Sequence, residues 1–248
     1  DQIRWLANLR AVQKPPEVWN AAWDCADTRL RCWMLGPLDR LLVAEAPGWR
    51  SYKGEQLNAP PITQIFAERK AAQDLRSLYA AVMSPFQGDA ALIRTVRLVP
   101  AEPEPDHAVA VAVERDGATD YVLSCLDNQP HCFGPIRMAG RFGMATLDAS
   151  GRLLRAYLLE GTELSAGGRS LTVPTARLTR KIIEVNDRQI ELDEPLPPDA
   201  ARPRRYFLTG ETGFEIERIE GNRLTVRSYP FVGGPELMLP TEASWNGP

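Results

Sequence analysis

The sequence contains few of the residues that most often carry chemistry. Only two histidines, His107 and His131, occur among its 248 residues. A general base needs a positioned partner and a suitable pKa. Neither histidine has a sequence neighbour that implies a partner, so we expect both in surface loops. The serine-nucleophile pattern GxSxG and the phosphate-binding pattern GxxxxGKS or GxxxxGKT are also absent. We therefore assign no catalytic residue to this chain and expect no cofactor.

A basic surplus and a long apolar run are missing as well. The formal net charge is -3, whereas nucleic-acid-binding proteins usually carry a basic surplus, so we expect no nucleic acid as a partner. No uninterrupted run of about 18 apolar residues occurs, so we expect no membrane span. The chain opens with Asp1-Gln2-Ile3-Arg4, without an initiator methionine or a signal-peptide pattern. We interpret it as a piece cut from a longer protein.

Cysteines are few but even in number, which permits disulfides. The four are Cys25, Cys32, Cys125 and Cys132. The last two flank Leu-Asp-Asn-Gln-Pro-His, which we predict to be a hairpin tip. Two interpretations stay open for this pair: a disulfide across facing strands, or two buried thiols. Neither pair of neighbouring cysteines has the CxxC spacing of structural zinc sites, so we expect no metal site.

Short segments of alternating apolar and polar residues make up much of the remaining sequence. Thr28–Leu35 alternates and ends at a Gly-Pro pair, and Leu92–Leu98 alternates large apolar residues with basic or small ones. A strand with one buried face has this period of two. The 21 prolines argue against a helical bundle, because proline breaks helices. The sequence therefore predicts an all-β protein.

The spacing of turns indicates the architecture. Turn residues recur about every ten positions, which is typical of a sandwich or of stacked sheets. We predict a large, multi-hairpin antiparallel β-sandwich over residues 1–175, followed by a smaller C-terminal β-sheet over residues 176–248. One segment opposes a purely β interpretation. Ile65–Leu78 has good helix propensity, so a single short helix there is the main alternative to a strand.

The segment that follows Gly48 combines aromatic and cationic side chains. Trp49 and Tyr52 offer faces on which sugar rings stack, while Arg50 and Lys53 offer cations for uronate or sulfate groups. These four residues are our candidate carbohydrate contacts. The alternative is a surface loop in which Trp49 covers the edge of the sandwich.

Several phrases of the sequence resemble one enzyme family. Leu35-Gly36 closes an alternating strand, Ala46-Pro47-Gly48-Trp49-Arg50 follows the next one, and Leu78–Gly88 precedes Ile93–Leu98. Over residues 25–160 this order is similar to the C-terminal β region of heparinase II/III-like polysaccharide lyases. In that family a strand ending in a phrase like F-x-x-V-x-E-P-Y-x-G precedes a strand that reads I-x-S-V-x-x-L.

The chain departs from the family phrase at two positions and lacks one family domain. Ser84 stands where the phrase has Glu, and Phe86 stands where it has Tyr. The resemblance implies an (α/α) toroid, then a large antiparallel β-sandwich and a smaller terminal sheet, in a bacterial protein that is periplasmic or extracellular. The sequence shows no series of amphipathic helices, so the toroid would lie outside this chain.

The resemblance also implies a reaction. Such lyases cleave uronic-acid polysaccharides by β-elimination, in which a Tyr or His base removes the proton next to the uronate carboxylate. Polar or cationic groups neutralise that carboxylate. Most of these residues belong to the toroid and to the early strands of the sandwich. We therefore carry over no catalytic residue, and the partners implied are a uronate-containing polysaccharide and the N-terminal α-helical toroid domain of the same protein.

Two hypotheses from different classes follow. In the first, the chain is the non-catalytic β portion of a polysaccharide lyase. In the second, it is a free-standing carbohydrate-binding or structural β module without enzymatic activity. Trp49 and Tyr52 exposed side by side on a flat face would favour the binding module. A broad apolar face without its neighbouring domain would favour the lyase portion.

Overall fold

The computed structural model of the chain is built of β-strands. It describes residues 6–46, 48, 60–88, 92–103, 106–198, 200, 205–210, 212–227 and 234–247. Within these ranges every regular element is a strand, and none is a helix that could cross a membrane. The chain divides into two compact units, Asp1–Leu98 and Val99–Pro248, hereafter the first and the second unit.

Six strands of the first unit form two three-stranded antiparallel sheets. The strands up to the unit boundary are β1 Ala7–Gln13, β2 Val18–Cys25, β3 Thr28–Leu35, β4 Arg40–Ala46, β5 Ile62–Glu68, β6 Ala80–Gln87 and β7 Ile93–Val99. One sheet has the order β1-β4-β5 and the other the order β2-β3-β6. Strand β7 ends at the first residue of the second unit.

The central strand β4 shows why the alternating pattern folds as it does. Leu42, Ala44 and Ala46 are buried, whereas Val43 and Glu45 between them are half-buried. Successive side chains of a strand point to opposite faces, so one face of β4 enters the interior. Both edges of β4 are paired, with β1 on one side and β5 on the other, which satisfies its backbone hydrogen-bonding groups.

Thirteen strands lie in the second unit. They are β8 Ala108–Arg115, β9 Ala118–Cys125, β10 Pro130–Phe133, β11 Ile136–Asp148, β12 Leu153–Ala166, β13 Arg169–Thr172, β14 Arg177–Asn186, β15 Gln189–Leu192, β16 Tyr206–Thr209, β17 Thr212–Glu220, β18 Arg223–Val226, β19 Glu236–Pro240 and β20 Glu242–Asn246. They form one large antiparallel sheet and one closed barrel.

The large sheet is organised around the long hairpin of β11 and β12. Its strands run in the order β13-β12-β11-β9-β8, with β10 paired to β11 and β20 paired to β12. One face carries a hydrophobic cluster whose centre includes Leu123, Met138, Leu158 and Leu164, all fully buried. Burial of large apolar side chains stabilises each such position by about 1.5–3 kcal/mol, so this sheet has a real core.

Two glycines allow β11 and β12 to approach closely. Gly140 and Gly161 are direct register partners across the hairpin. A Cβ atom on Gly161 would lie 2.7 Å from the carbonyl oxygen of Ala139 and 2.8 Å from the Cα of Gly140. Because both obstacles are backbone atoms, neither can move aside as a side chain would, and glycine is required at this contact.

The remaining six strands close on themselves. Their order is β14-β15-β18-β17-β16-β19, and closure leaves no free edge strand. The barrel interior is a second hydrophobic cluster that includes Ile190, Ile216 and Leu224, each fully buried. Phe207 and Phe214 stack inside it with ring centroids 5.7 Å apart. Offset aromatic pairs of this kind add to the stabilisation from burial alone.

The all-β prediction is confirmed, and the sheets are antiparallel as predicted. The smaller C-terminal sheet is a closed barrel that begins at Arg177. The alternative of a helix over Ile65–Leu78 is wrong: β5 covers its first residues, and residues 69–79 contain no regular element. The pairing of β5 with β4 accounts for this, because a helix in place of β5 would leave that edge of β4 without backbone hydrogen-bond partners. The predicted division at residue 175 stays a prediction beside the observed unit boundary at Leu98.

Candidate functional site

The predicted carbohydrate-contact loop lies outside the described residues. Trp49, Arg50, Tyr52 and Lys53 all fall in the gap between residues 48 and 60. Their role as sugar contacts therefore stays a prediction.

The two histidines share one carboxylate. Nε2 of His131 lies 2.8 Å from Oδ1 of Asp127, and Nδ1 of His107 lies 3.6 Å from Oδ2 of the same residue. The hydrogen bond from His131 lowers the pKa of Asp127, and burial opposes the shift only in part. The expectation that both histidines are surface loop residues is wrong for His131, which is only 2% exposed. His131 and Phe133 are two residues apart on β10, so both side chains project from the buried face of that strand.

Two interpretations were open for Cys125 and Cys132, a disulfide or two buried thiols, and in the structure both are free cysteines. Cys125 is buried in the sheet core, whereas Cys132 is exposed. Burial raises the pKa of the Cys125 thiol to about 11, mainly by desolvation and further through the charge of Asp127. A thiol with such a pKa is a small core residue rather than a nucleophile. No group of His, Cys, Asp and Glu suited to hold a metal occurs in the ranges that the structure describes.

A groove of about 660 Å³ lies in the second unit, on the face of the large sheet opposite its hydrophobic cluster. Five neighbouring strands form its floor: β8, β9, β11, β12 and β20. Directly opposed residues on antiparallel strands project to the same face. The registers therefore align side chains from all five strands in two parallel rows. We call this recess the sheet groove and its two rows the polar row and the apolar row.

The polar row consists of side chains that are opposed across the five strands. Its members are Val113, Asp120, Thr146, Arg155 and Asn246. Arg115, two residues beyond Val113 on β8, extends the same side. The row brings together two arginines, one carboxylate and two neutral polar groups from segments that are far apart in sequence.

The carboxylate of the polar row is already bonded. Nε of Arg115 lies 2.6 Å from Oδ2 of Asp120, and Nη2 lies 3.2 Å from Oδ1. The hydroxyl of Thr146 donates to Asp120 at 2.6 Å. Burial works to raise the pKa of Asp120. The hydrogen bonds from Arg115 and Thr146, with the charges of Arg115 and Arg155, outweigh burial and lower it. Asp120 is therefore an ionised partner of Arg115 and a weak base.

The apolar row lies one step along the same strands. It contains Val122, Met144, Tyr157 and Ser244 in register, and Met144 is 42% exposed. The Tyr157 ring packs edge-on against Phe142 with centroids 6.4 Å apart. Its hydroxyl donates to Glu242 at 3.3 Å. Burial first, and then the charge and hydrogen bond of Glu242, raise the pKa of Tyr157. The phenol is thus neutral at physiological pH.

These features make the sheet groove a surface for binding rather than for proton transfer. A general base near neutral pH needs a raised carboxylate pKa or a lowered phenol pKa, and Asp120 and Tyr157 are shifted in the opposite directions. The groove offers cations, hydrogen-bonding groups and an apolar floor. Its volume lies within the range of about 300–1,000 Å³ typical of small-ligand sites.

A second surface stands out in the first unit. The registers of the β2-β3-β6 sheet place nine apolar side chains on one face. They are Trp19, Ala21, Trp23, Leu30, Cys32, Met34, Ala81, Met83 and Pro85. Of these only Cys32 is buried, and Met83 is 67% exposed. We call this surface the apolar face.

The opposite face of the same sheet has a different character. It carries the polar Asn20, Arg31 and Ser84, and also the buried apolar side chains Trp33, Leu35 and Phe86. The Arg31 guanidinium lies over the rings of Trp33 and Phe86, with centroids 5.6 and 5.5 Å away. Such contacts are attractive because the face of an aromatic ring carries partial negative charge. The sheet therefore has one face that mixes buried apolar side chains with polar ones, and one face on which nine apolar side chains lie together.

Sequence reasoning missed both surfaces for the same reason. Alternation within one strand indicates which residues share a face, but not which strands are neighbours. Arg155 meets Asn246 through the pairing of β12 with β20, and Cys32 meets Met83 through the pairing of β3 with β6. The sequence does offer one signal: Arg155 and Tyr157 are two residues apart, so their side chains project from the same face of β12. This identifies the groove-lining face of one strand only.

Comparison with known proteins adds no constraint. Neither the protein-family models nor the curated proteins compared with the chain include a match to it.

Proposed function

We propose that this chain is the non-catalytic β portion of a polysaccharide lyase-like protein that cleaves uronic-acid-containing polysaccharides by β-elimination. The reacting groups would belong to an α-helical toroid domain of the same protein, outside this chain. The protein would act in the periplasm or outside the cell, where such polymers occur. The β portion would support the toroid and contribute one wall of the substrate cleft.

The observation that carries this proposal is the apolar face of the β2-β3-β6 sheet. Nine apolar side chains from three strands share one face, and eight of them are not buried. Isolated exposed apolar residues are normal, but a contiguous apolar face on a soluble protein marks a surface that another element covers. A neighbouring domain of the same protein is the occupant that the proposal predicts.

The phrases that carry the resemblance lie on strands. The phrase Leu78–Gly88 contains β6, and Ile93–Leu98 lies within β7. The two strands follow each other along the chain, in the order of the family phrases, and this order supports the proposal. Met83 of the apolar face belongs to this phrase. The part of the chain that resembles the lyases is therefore also the part that exposes an apolar surface.

The test is a lyase assay on two proteins. The longer natural protein that contains this chain and the chain alone would be mixed with uronate polymers, and the unsaturated product followed by its ultraviolet absorbance. We expect product from the longer protein and none from the chain alone. Product from the chain alone would contradict the non-catalytic role. A natural protein without a helical region before Asp1 would contradict the toroid.

A second candidate function is a carbohydrate-binding module without a reaction. The sheet groove favours it, because the groove combines cations with an apolar floor within one unit. The two candidates differ in what covers the apolar face. A module that works alone would keep this face in water or pair it with a second copy, so light scattering on the natural protein separates the cases.

A further inference from the structure

We propose that the sheet groove binds a uronate-containing oligosaccharide segment, with Arg155 as the residue that receives a sugar carboxylate. Tyr157 and Met144 would form the apolar floor under the sugar ring. The choice of a uronate sugar rests on the proposed function. The requirement for a negative charge on the ligand rests on the groove alone.

The first step concerns charge. Arg115 and Asp120 neutralise each other through two hydrogen bonds of 2.6 and 3.2 Å. Arg155 is opposed by the neutral side chains of Thr146 and Asn246 on its two neighbouring strands. Its side chain is exposed. The polar row therefore carries one net positive charge, located at Arg155. An arginine guanidinium matches the planar geometry of a carboxylate and binds it through two parallel hydrogen bonds.

The second step concerns the floor. Tyr157 is half-buried and held from one side by Phe142. Met144 lies opposite Tyr157 in register, and Val122 follows on β9. Aromatic and thioether groups provide a flat apolar surface at low entropic cost, because the ring is already fixed by its neighbour. The carbon-bound hydrogens of a sugar ring require such a surface, while its hydroxyls require donors and acceptors.

The third step concerns the sugar hydroxyls. Ser244 and Asn246 on β20 are exposed at the edge of the groove. They are opposed to Tyr157 and Arg155 respectively. Opposed side chains on antiparallel strands lie about 5 Å apart. A ring placed over Tyr157, with its carboxylate at Arg155, therefore has Ser244 and Asn246 along one side as hydrogen-bonding partners.

The experiment measures binding to the chain by titration calorimetry. The probes are a galacturonate tetrasaccharide and its carboxyl-reduced, neutral counterpart. Arg155→Gln should weaken binding of the acidic probe by about tenfold or more, because a charged hydrogen bond is lost. The matched control is Arg137→Gln, which removes the same charge from an exposed position on the same sheet and should leave binding unchanged.

A second variant predicts the opposite direction. Asp120→Asn removes the negative charge that neutralises Arg115 and so raises the net charge of the polar row by one, so affinity for the acidic probe should rise. A purely structural role of these residues predicts no gain. Thermal unfolding of each variant establishes that the fold is intact. Equal binding of the acidic and neutral probes, or unchanged binding by Arg155→Gln, would overturn the inference.

Failure of this inference and failure of the proposed function give different results. If the longer protein yields unsaturated product while Arg155→Gln binds the tetrasaccharide normally, the groove assignment is wrong and the lyase proposal stands. If the tetrasaccharide binds through Arg155 but the longer protein yields no unsaturated product, the lyase proposal is wrong and the groove assignment stands.

Discussion

The two units of the chain are stabilised to different degrees by their own residues. Both hydrophobic core clusters found among the described residues lie in the second unit, one in the sheet and one in the barrel. Nine of the fourteen exposed large hydrophobic side chains in those residues lie in the first unit. The second unit therefore contains both clustered cores, whereas the first unit carries most of the exposed large apolar side chains. The difference teaches that strands with similar alternation can bury their apolar faces to different extents.

The largest effect is expected inside the barrel of the second unit. Phe207 is fully buried and stacked on Phe214. Phe207→Ala should lower the free energy of unfolding by about 3–5 kcal/mol, because the cavity adds to the lost transfer energy. Tyr206→Ala is the control, since the adjacent side chain is 60% exposed. It should change stability by about 0.5 kcal/mol or less. Urea unfolding measures both, and equal losses would mean that the barrel has no self-sufficient core.

One methionine in each unit allows the same substitution to be compared between the units. Met138 is fully buried in the sheet core of the second unit, and Met83 on the apolar face is 67% exposed. Met138→Ala should cost about 2–5 kcal/mol. Met83→Ala should cost about 0.5 kcal/mol or less in the chain alone. In the longer protein proposed above, Met83→Ala should cost more if a neighbouring domain covers it. A Met83→Ala effect that is equally small in both proteins would argue against a covered apolar face.

The close glycine contact gives an intermediate effect in the second unit. Gly161→Ala places a Cβ 2.7 Å from the Ala139 carbonyl oxygen, so the β11–β12 hairpin must distort. Overpacking of this kind costs about 1–3 kcal/mol. Gly213→Ala is the matched control, because its Cβ would meet only the Leu208 side chain at 3.7 Å. Thermal unfolding of both variants measures the difference. A Gly161→Ala protein as stable as the Gly213→Ala protein would show that the two strands separate without cost.

The sequence predicts individual strands better than their neighbours. Thr28–Leu35 was predicted from alternation alone and coincides with β3, because a half-buried strand has period two whatever lies beside it. The helix alternative over Ile65–Leu78 failed because helix propensity is a weak preference that tertiary pairing overrides. Pairing of β5 with β4 is such a case.

The candidate site could not be predicted in the same way. The sheet groove requires Asp120, Thr146 and Arg155 on three paired strands, and their common face follows only from the registers. His131 was expected at the surface, and its burial depends on the pairing of β10 with β11. Both outcomes depend on which strands are neighbours, which local periodicity does not contain. The residue types indicate the chemistry that single side chains can contribute, but not which side chains lie together once the strands pair.

The smallest expected effect concerns acid stability in each unit. The pKa of Asp120 in the second unit is lowered: burial opposes the shift, and the hydrogen bonds from Arg115 and Thr146 overcome it. The pKa of Glu68 in the first unit is lowered by hydrogen bonds from Lys70 and Arg40. A carboxyl group with a lowered folded-state pKa stabilises the fold above its ordinary pKa of about 4. That stabilisation is lost as the pH falls through the folded-state value.

Asp120→Asn should therefore lower stability near neutral pH, and its difference from the natural chain should shrink as the pH falls from about 6 to about 2. The effect should be about 1 kcal/mol or less, because the ion pair with Arg115 is part-exposed and screened by solvent. Thr146→Val removes one of the two hydrogen-bond donors, so its pH dependence should be weaker in the same direction. Urea unfolding across the pH series measures both variants. A difference for Asp120→Asn that stays constant down to about pH 2 would mean that Asp120 is not held ionised by Arg115, and the charge argument for Arg155 would then have to count Arg115 as a second free cation.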